Sequence, residues 1–84
     1  SLANLITRES QVVAARQTAA LAERELELSQ DRFLNGVADN IEVVNAQTAL
    51  ENSRQVLVSS IARFNMARLN LTVALGHAES FSFQ

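Results

Sequence analysis

Two series of residues with a spacing of seven constrain this chain more than any other feature. Large or apolar residues recur at this interval through each half of the sequence: Leu5, Val12, Ala19, Leu26 and Phe33, then Val43, Leu50, Leu57, Phe64 and Leu71. A seven-residue repeat that persists for about five heptads indicates helices that supercoil with a left hand. Proline is absent, and alanine and leucine are abundant, which favours long helices over sheet. The sequence therefore predicts an all-α chain of two long helices.

The second seam position is small in both helices, except at Arg8. With the residues above at heptad position a, position d holds Arg8, Ala15, Ala22 and Ser29, then Ala46, Ser53, Ser60, Ala67 and Ala74. Small residues let two antiparallel helices approach closely while large residues fill the gaps beside them. Two registers satisfy this pattern. We favour the register that pairs each large a residue with a small d residue, as Phe33 with Ala46, because it keeps the interhelical gap uniform. The alternative, shifted by about three residues, pairs large with large and small with small.

The middle of the sequence carries signals for the end of one helix and the start of another. Gly36 follows a helical pattern, as expected of a glycine that ends a helix with positive φ. Asp39 and Glu42 have the spacing of a capping box, in which each side chain hydrogen-bonds to the backbone of the other. We therefore predict a long antiparallel coiled-coil hairpin with helices at about 2–35 and 39–75 and a turn at 36–38. The Leu75-Gly76 pair marks the expected end of the second helix, and the spacing of Phe81 and Phe83 leaves a following strand possible.

One seam does not use all the apolar residues. Those off the a and d positions are Leu2, Ile6, Val13, Leu21, Leu28, Val44, Val58, Ile61, Leu69 and Leu75. Since two helices cover only one side of each other, these residues need further partners, and a hairpin of this size is marginal alone. The hairpin is expected either to self-associate into a bundle or to form part of a larger α-barrel.

The turn resembles a known signature. Arg32, Phe33, Gly36, Val37, Asp39, Glu42, Val43, Ala46 and Gln47 match the pattern at the periplasmic hairpin tip of TolC-family outer membrane efflux proteins, and Ala74-Leu75-Gly76 is similar to that family's helix ending. The resemblance implies that residues 1–84 are a single helical hairpin from a larger, homotrimeric outer membrane protein of a Gram-negative bacterium. This segment would lie in the periplasm, in a duct that exports small molecules or proteins as part of a tripartite pump.

The resemblance also assigns roles to residues at the turn. Phe33, Gly36, Val37 and Ala38 would form the tip that docks a periplasmic adaptor protein, which in turn binds an inner-membrane pump. Phe33 also suits core packing at its a position. Glu42 and Asn45 would face the lumen and gate it, although the capping role of Glu42 is sufficient to explain that residue, and a neutral Asn45 makes a double acidic ring weak.

Other functions find no support in the sequence. It lacks cysteine and the motifs of serine hydrolases, zinc proteases and phosphate-binding loops, so no enzyme, cofactor or metal is expected. His77 is the only histidine, with no second ligand nearby. The formal charge of −2 gives no reason to expect nucleic-acid binding. The alternative to an export duct is an unrelated coiled-coil interaction or oligomerisation module.

Overall fold

The chain forms an antiparallel helical hairpin. The computed structural model describes the backbone of residues 1–82 and the side chains of residues 1–76. Helix α1 comprises Leu2–Leu34 and helix α2 comprises Asn40–Ser82, with 33 and 43 residues. The principal extents are 73 × 14 × 12 Å, and the radius of gyration is 20.0 Å, against about 12 Å for a compact domain of this length. The predicted all-helical hairpin is thus confirmed, as a thin rod.

The core of the rod is the seam that the heptads predict. Nine residues are buried among those whose side chains are described, and all nine occupy a or d positions: Val12, Ala15, Ala19, Ala22, Ser29, Leu50, Ser53, Ser60 and Ala67. Seven of the nine are alanine or serine, which can be covered by a single neighbouring helix. Larger a residues such as Leu57 and Phe64 remain half-buried, because a two-helix rod has no second layer to cover them.

The register differs from the one we favoured. An ion pair joins Arg32 to Glu42, and Ser29 lines one groove with Ala46. In an antiparallel hairpin, the residue numbers of facing pairs have a nearly constant sum. These two pairs sum to 74 and 75, close to the alternative register, whereas the favoured pairing of Phe33 with Ala46 sums to 79. The loop between Leu34 and Asn40 explains the shift, because it places the last residue of α1 and the first residue of α2 at the same height along the hairpin axis. Large a residues of one helix therefore lie opposite large a residues of the other, and small d residues lie opposite small d residues.

Helix α2 continues past its predicted end. Gly76 lies inside α2, and the helix runs to Ser82, beyond the predicted end at Leu75. Glycine costs about 1 kcal/mol relative to alanine inside a helix but does not break it, and the residues that follow include the helix formers Ala78 and Glu79. Phe81 is accordingly helical and does not begin a strand. Phe83 lies outside the described residues.

The apolar residues off the seam are on the surface. Of the ten identified from the sequence, all except the half-buried Ile61 are exposed. Neither helix, within residues 1–82, contains a stretch long and apolar enough to cross a membrane. The hairpin therefore presents a large apolar surface to its surroundings.

Candidate functional site

The tip of the hairpin begins with a glycine-terminated helix end. Asn35 caps α1 with φ −90° and ψ 5°, and Gly36 follows with φ +72°, the left-handed conformation in which glycine lacks the Cβ penalty. The N–H of Val37 donates to the carbonyl oxygen of Arg32 (2.9 Å), and the N–H of Gly36 donates to that of Phe33 (3.1 Å). These two bonds define a Schellman motif, which satisfies the last carbonyls of α1. The corner is therefore fixed by the backbone.

Asp39 starts the second helix. Its Oδ1 accepts from the N–H of Ile41 (3.1 Å) and from the N–H of Glu42 (3.3 Å). This is one half of the predicted capping box. In the other half, Glu42 would accept from the N–H of Asp39. Instead, the carboxylate of Glu42 accepts from Arg32. Because each cap draws on residues within a few positions of itself, the tip forms from local sequence.

An ion pair across the hairpin closes the base of the tip. Arg32 Nε lies 3.0 Å from Glu42 Oε1, and the two side chains are 52% and 42% exposed. A pair this exposed contributes at most about 1 kcal/mol to the stability of the hairpin. Sequence reasoning noted both residues but not their contact. Only the correct register places them opposite each other.

Apolar side chains crowd the surface of the tip. Phe33 is 46% exposed, Val37 is 64% exposed, and Ala38 is half-buried. Phe33 is thus too exposed for the core role that its a position suggested, because only the first turn of α2 lies opposite it. Sequence reasoning missed two further members, Leu34 at 81% exposed and Ile41 at 62%. Their signal was available, since each lies within three residues of the predicted turn at 36–38.

The two candidate lumen residues share one side of the hairpin. Glu42 and Asn45 both line an open groove near the tip, together with Arg32 and Ser29. Glu42 is half-buried and Asn45 is exposed. The charge of Glu42 is therefore partly balanced by Arg32, and Asn45 adds only a neutral amide. The side chain of His77 lies outside those that the structure describes.

Comparisons with known proteins found no match: no family model, curated protein or solved structure matches this chain.

Proposed function

We propose that this chain is the periplasmic hairpin of an outer membrane export duct, similar to those of the TolC family. One observation carries the proposal. The segment that resembles the family signature is also the tip of a long rod, where Gly36 and Asp39 fix a tight corner and Val37 stands exposed upon it. A rigid corner that displays apolar side chains suits a docking site, because binding there orders little that is not already ordered.

The tip would dock a periplasmic adaptor protein. Phe33, Leu34, Val37 and Ile41 together offer exposed apolar side chains at one end of the molecule, and Ala38, in the same turn, is half-buried. Exposed apolar residues that cluster in this way mark interaction sites more often than scattered ones do. The adaptor would thereby link the duct to a pump in the inner membrane.

The groove beside the tip would face the lumen. Glu42 and Asn45 would line it, and three subunits would repeat them around the entrance. Since Glu42 is paired with Arg32, the entrance would carry a ring of ion pairs instead of a ring of bare carboxylates. Such a ring favours cations only weakly. Opening the entrance would separate the two arms of the hairpin near the tip and break these exposed pairs at little cost.

The shafts would form the wall. Leu21 and Leu28 on α1 and Val58 and Leu69 on α2 are exposed in the single hairpin and would be covered by neighbouring hairpins. Such a conduit moves its cargo without chemistry, so it requires no catalytic residue.

The test is export in cells that produce the whole protein. Val37→Glu adds a charge to the exposed tip, whereas Ala62→Glu adds one to an exposed position about 33 Å along α2 from its first residue, Asn40. We expect cells that produce the Val37→Glu variant to be as sensitive to toxic compounds as cells that lack the gene. Ala62→Glu should leave resistance intact at the same protein level. Adaptor docking at the tip would be refuted if the two variants conferred equal resistance, or if the parent protein conferred none.

A second candidate is a coiled-coil interaction or oligomerisation module unrelated to export. The exposed apolar residues along the shafts favour it, because they call for helical partners whether or not the tip binds anything. This candidate predicts that Val37→Glu changes neither assembly nor any export phenotype.

A further inference from the structure

The corner at residues 35–38 contains the only asparagine of this chain that is followed by glycine. Asn35 and Gly36 are both exposed. The backbone nitrogen that follows an asparagine can attack its side-chain amide, and the attack is easiest before glycine, because no Cβ hinders the approach. A Cβ built at Gly36 would meet no atom within 4 Å, so the surroundings do not obstruct the attack either. Asn35 therefore has the chemistry for spontaneous loss of its amide.

The closed corner holds the reacting atoms apart. Asn35 has ψ 5°, which turns the nitrogen of Gly36 toward the backbone nitrogen of Asn35 and away from its side chain. The N–H of Gly36 is also engaged, because it donates to the carbonyl oxygen of Phe33 (3.1 Å). The amide of Asn35 is fixed as well, since Nδ2 donates to the carbonyl oxygen (2.8 Å) and to Oδ1 (3.5 Å) of Asp31. The attack therefore requires these bonds to break and ψ to rotate.

We propose that Asn35 is a site of spontaneous deamidation and that the corner controls the reaction. When the corner opens, the nitrogen of Gly36 loses its proton and attacks Cγ of Asn35. The N–Cγ bond forms, the Cγ–Nδ2 bond breaks, and Nδ2 takes up a proton and leaves as ammonia. Water then adds to either carbonyl carbon of the cyclic imide and opens it to aspartate or isoaspartate. The inference concerns only the corner and does not depend on the proposed export function.

Either product weakens the corner in which it forms. An aspartate in place of Asn35 has no N–H to donate to Asp31, and it adds a second carboxylate beside that residue. It also puts a negative charge at the C-terminus of α1, where the helix dipole disfavours it. Isoaspartate lengthens the main chain by a methylene group inside the ring that the bond from Val37 N–H to the carbonyl of Arg32 (2.9 Å) closes. The modified corner is therefore harder to close again.

Peptide mapping by mass spectrometry distinguishes a carboxylate from an amide and tests the control by the corner. The full chain is incubated at neutral pH, once in buffer, where circular dichroism verifies that it is helical, and once in guanidinium chloride. We expect Asn35 to lose its amide at least about tenfold more slowly in buffer than in denaturant, because only the open corner reacts. A smaller difference would overturn control by the corner, and no loss at Asn35 in denaturant would overturn the site itself.

A substitution of the neighbouring residue tests the chemistry separately from the fold. In denaturant, where no corner exists, Asn35 should lose its amide faster than the asparagines that precede other residues. Gly36→Ala should slow this loss several-fold, because a methyl group then hinders the attacking nitrogen. Asn52, which precedes Ser53, should react at the same rate in the parent and in the variant. Unchanged loss at Asn35 in the Gly36→Ala variant would overturn attack by that nitrogen.

Asn35→Asp reproduces one product and tests its effect on the corner. Thermal unfolding at one protein concentration should give a Tm a few degrees below that of the parent, because a carboxylate at the end of α1 opposes the helix dipole. Asn52→Asp is the matched control, since Asn52 is exposed and lies well inside α2, and it should lower Tm by less than about half as much. Equal losses, or no loss for Asn35→Asp, would overturn the claim that the product weakens the corner.

Discussion

Replacement by alanine is expected to have opposite effects on stability at the two glycines of this chain, Gly36 and Gly76. Gly36 has φ +72°, and a Cβ built there meets no atom within 4 Å, so its replacement by alanine incurs only a backbone cost. That cost is about 1–2 kcal/mol for a left-handed L-residue. Alanine also restricts the unfolded chain, which returns about 0.4–1 kcal/mol. We therefore expect Gly36→Ala to destabilise the hairpin by about 1 kcal/mol, and Gly36→Val to destabilise it more because valine is β-branched.

Gly76 provides the matched control. It lies within α2 and also has open space where a Cβ would be, but its φ is not positive. Gly76→Ala should stabilise the hairpin by about 0.5–1 kcal/mol, because glycine is a poor residue inside a helix.

Thermal unfolding measured by far-UV circular dichroism compares the two variants with the parent chain. At roughly 4–8 °C per kcal/mol for a chain of this size, Gly36→Ala should lower Tm and Gly76→Ala should raise it by several degrees. One fixed protein concentration is needed, because any self-association would make Tm depend on concentration. Shifts of the same sign for both variants would refute the left-handed turn at Gly36 or the helical continuation at Gly76.

Three further predictions probe the seam, the cap and the ion pair. Ala67→Leu should cost about 1–3 kcal/mol of unfolding free energy by overfilling a site that is only 4% exposed, whereas Ala20→Leu on the surface should change it by less than about 0.5 kcal/mol in urea titrations. Asp39→Ala should cost about 1 kcal/mol in the same assay, and Asp39→Asn much less, because asparagine also caps helices; equal losses would argue against a capping role. A double-mutant cycle on Arg32→Ala and Glu42→Ala should give a coupling of about 0.2–1 kcal/mol that falls at high salt, and a salt-independent coupling would contradict an exposed ion pair.

The seam and the turn were accessible from sequence because their signals are local or periodic. Every residue that is buried among residues 1–76 lies at a position that the seven-residue spacing had marked, and Gly36 and Asp39 act on backbone groups a few residues away. Such interactions depend little on the rest of the molecule.

The register was not accessible in the same way. Both registers satisfy the heptads, and a choice between them depends on the length of the loop from Leu34 to Asn40, which sequence patterns fix only to within a few residues. The ion pair between Arg32 and Glu42 and the exposure of Phe33 both follow from the register. The prediction that α2 ends at Gly76 was wrong for a different reason: a single glycine is compatible with either a helix end or a helix interior.

The most direct test of the export proposal is to sequence the gene on both sides of the segment that encodes this hairpin. The proposal predicts a second helical hairpin with the same Arg-Phe/Tyr-x-x-Gly turn, together with segments of about 10 residues in which apolar residues alternate. An open reading frame that contains neither would contradict an export duct and would leave the hairpin as a self-assembling helical module.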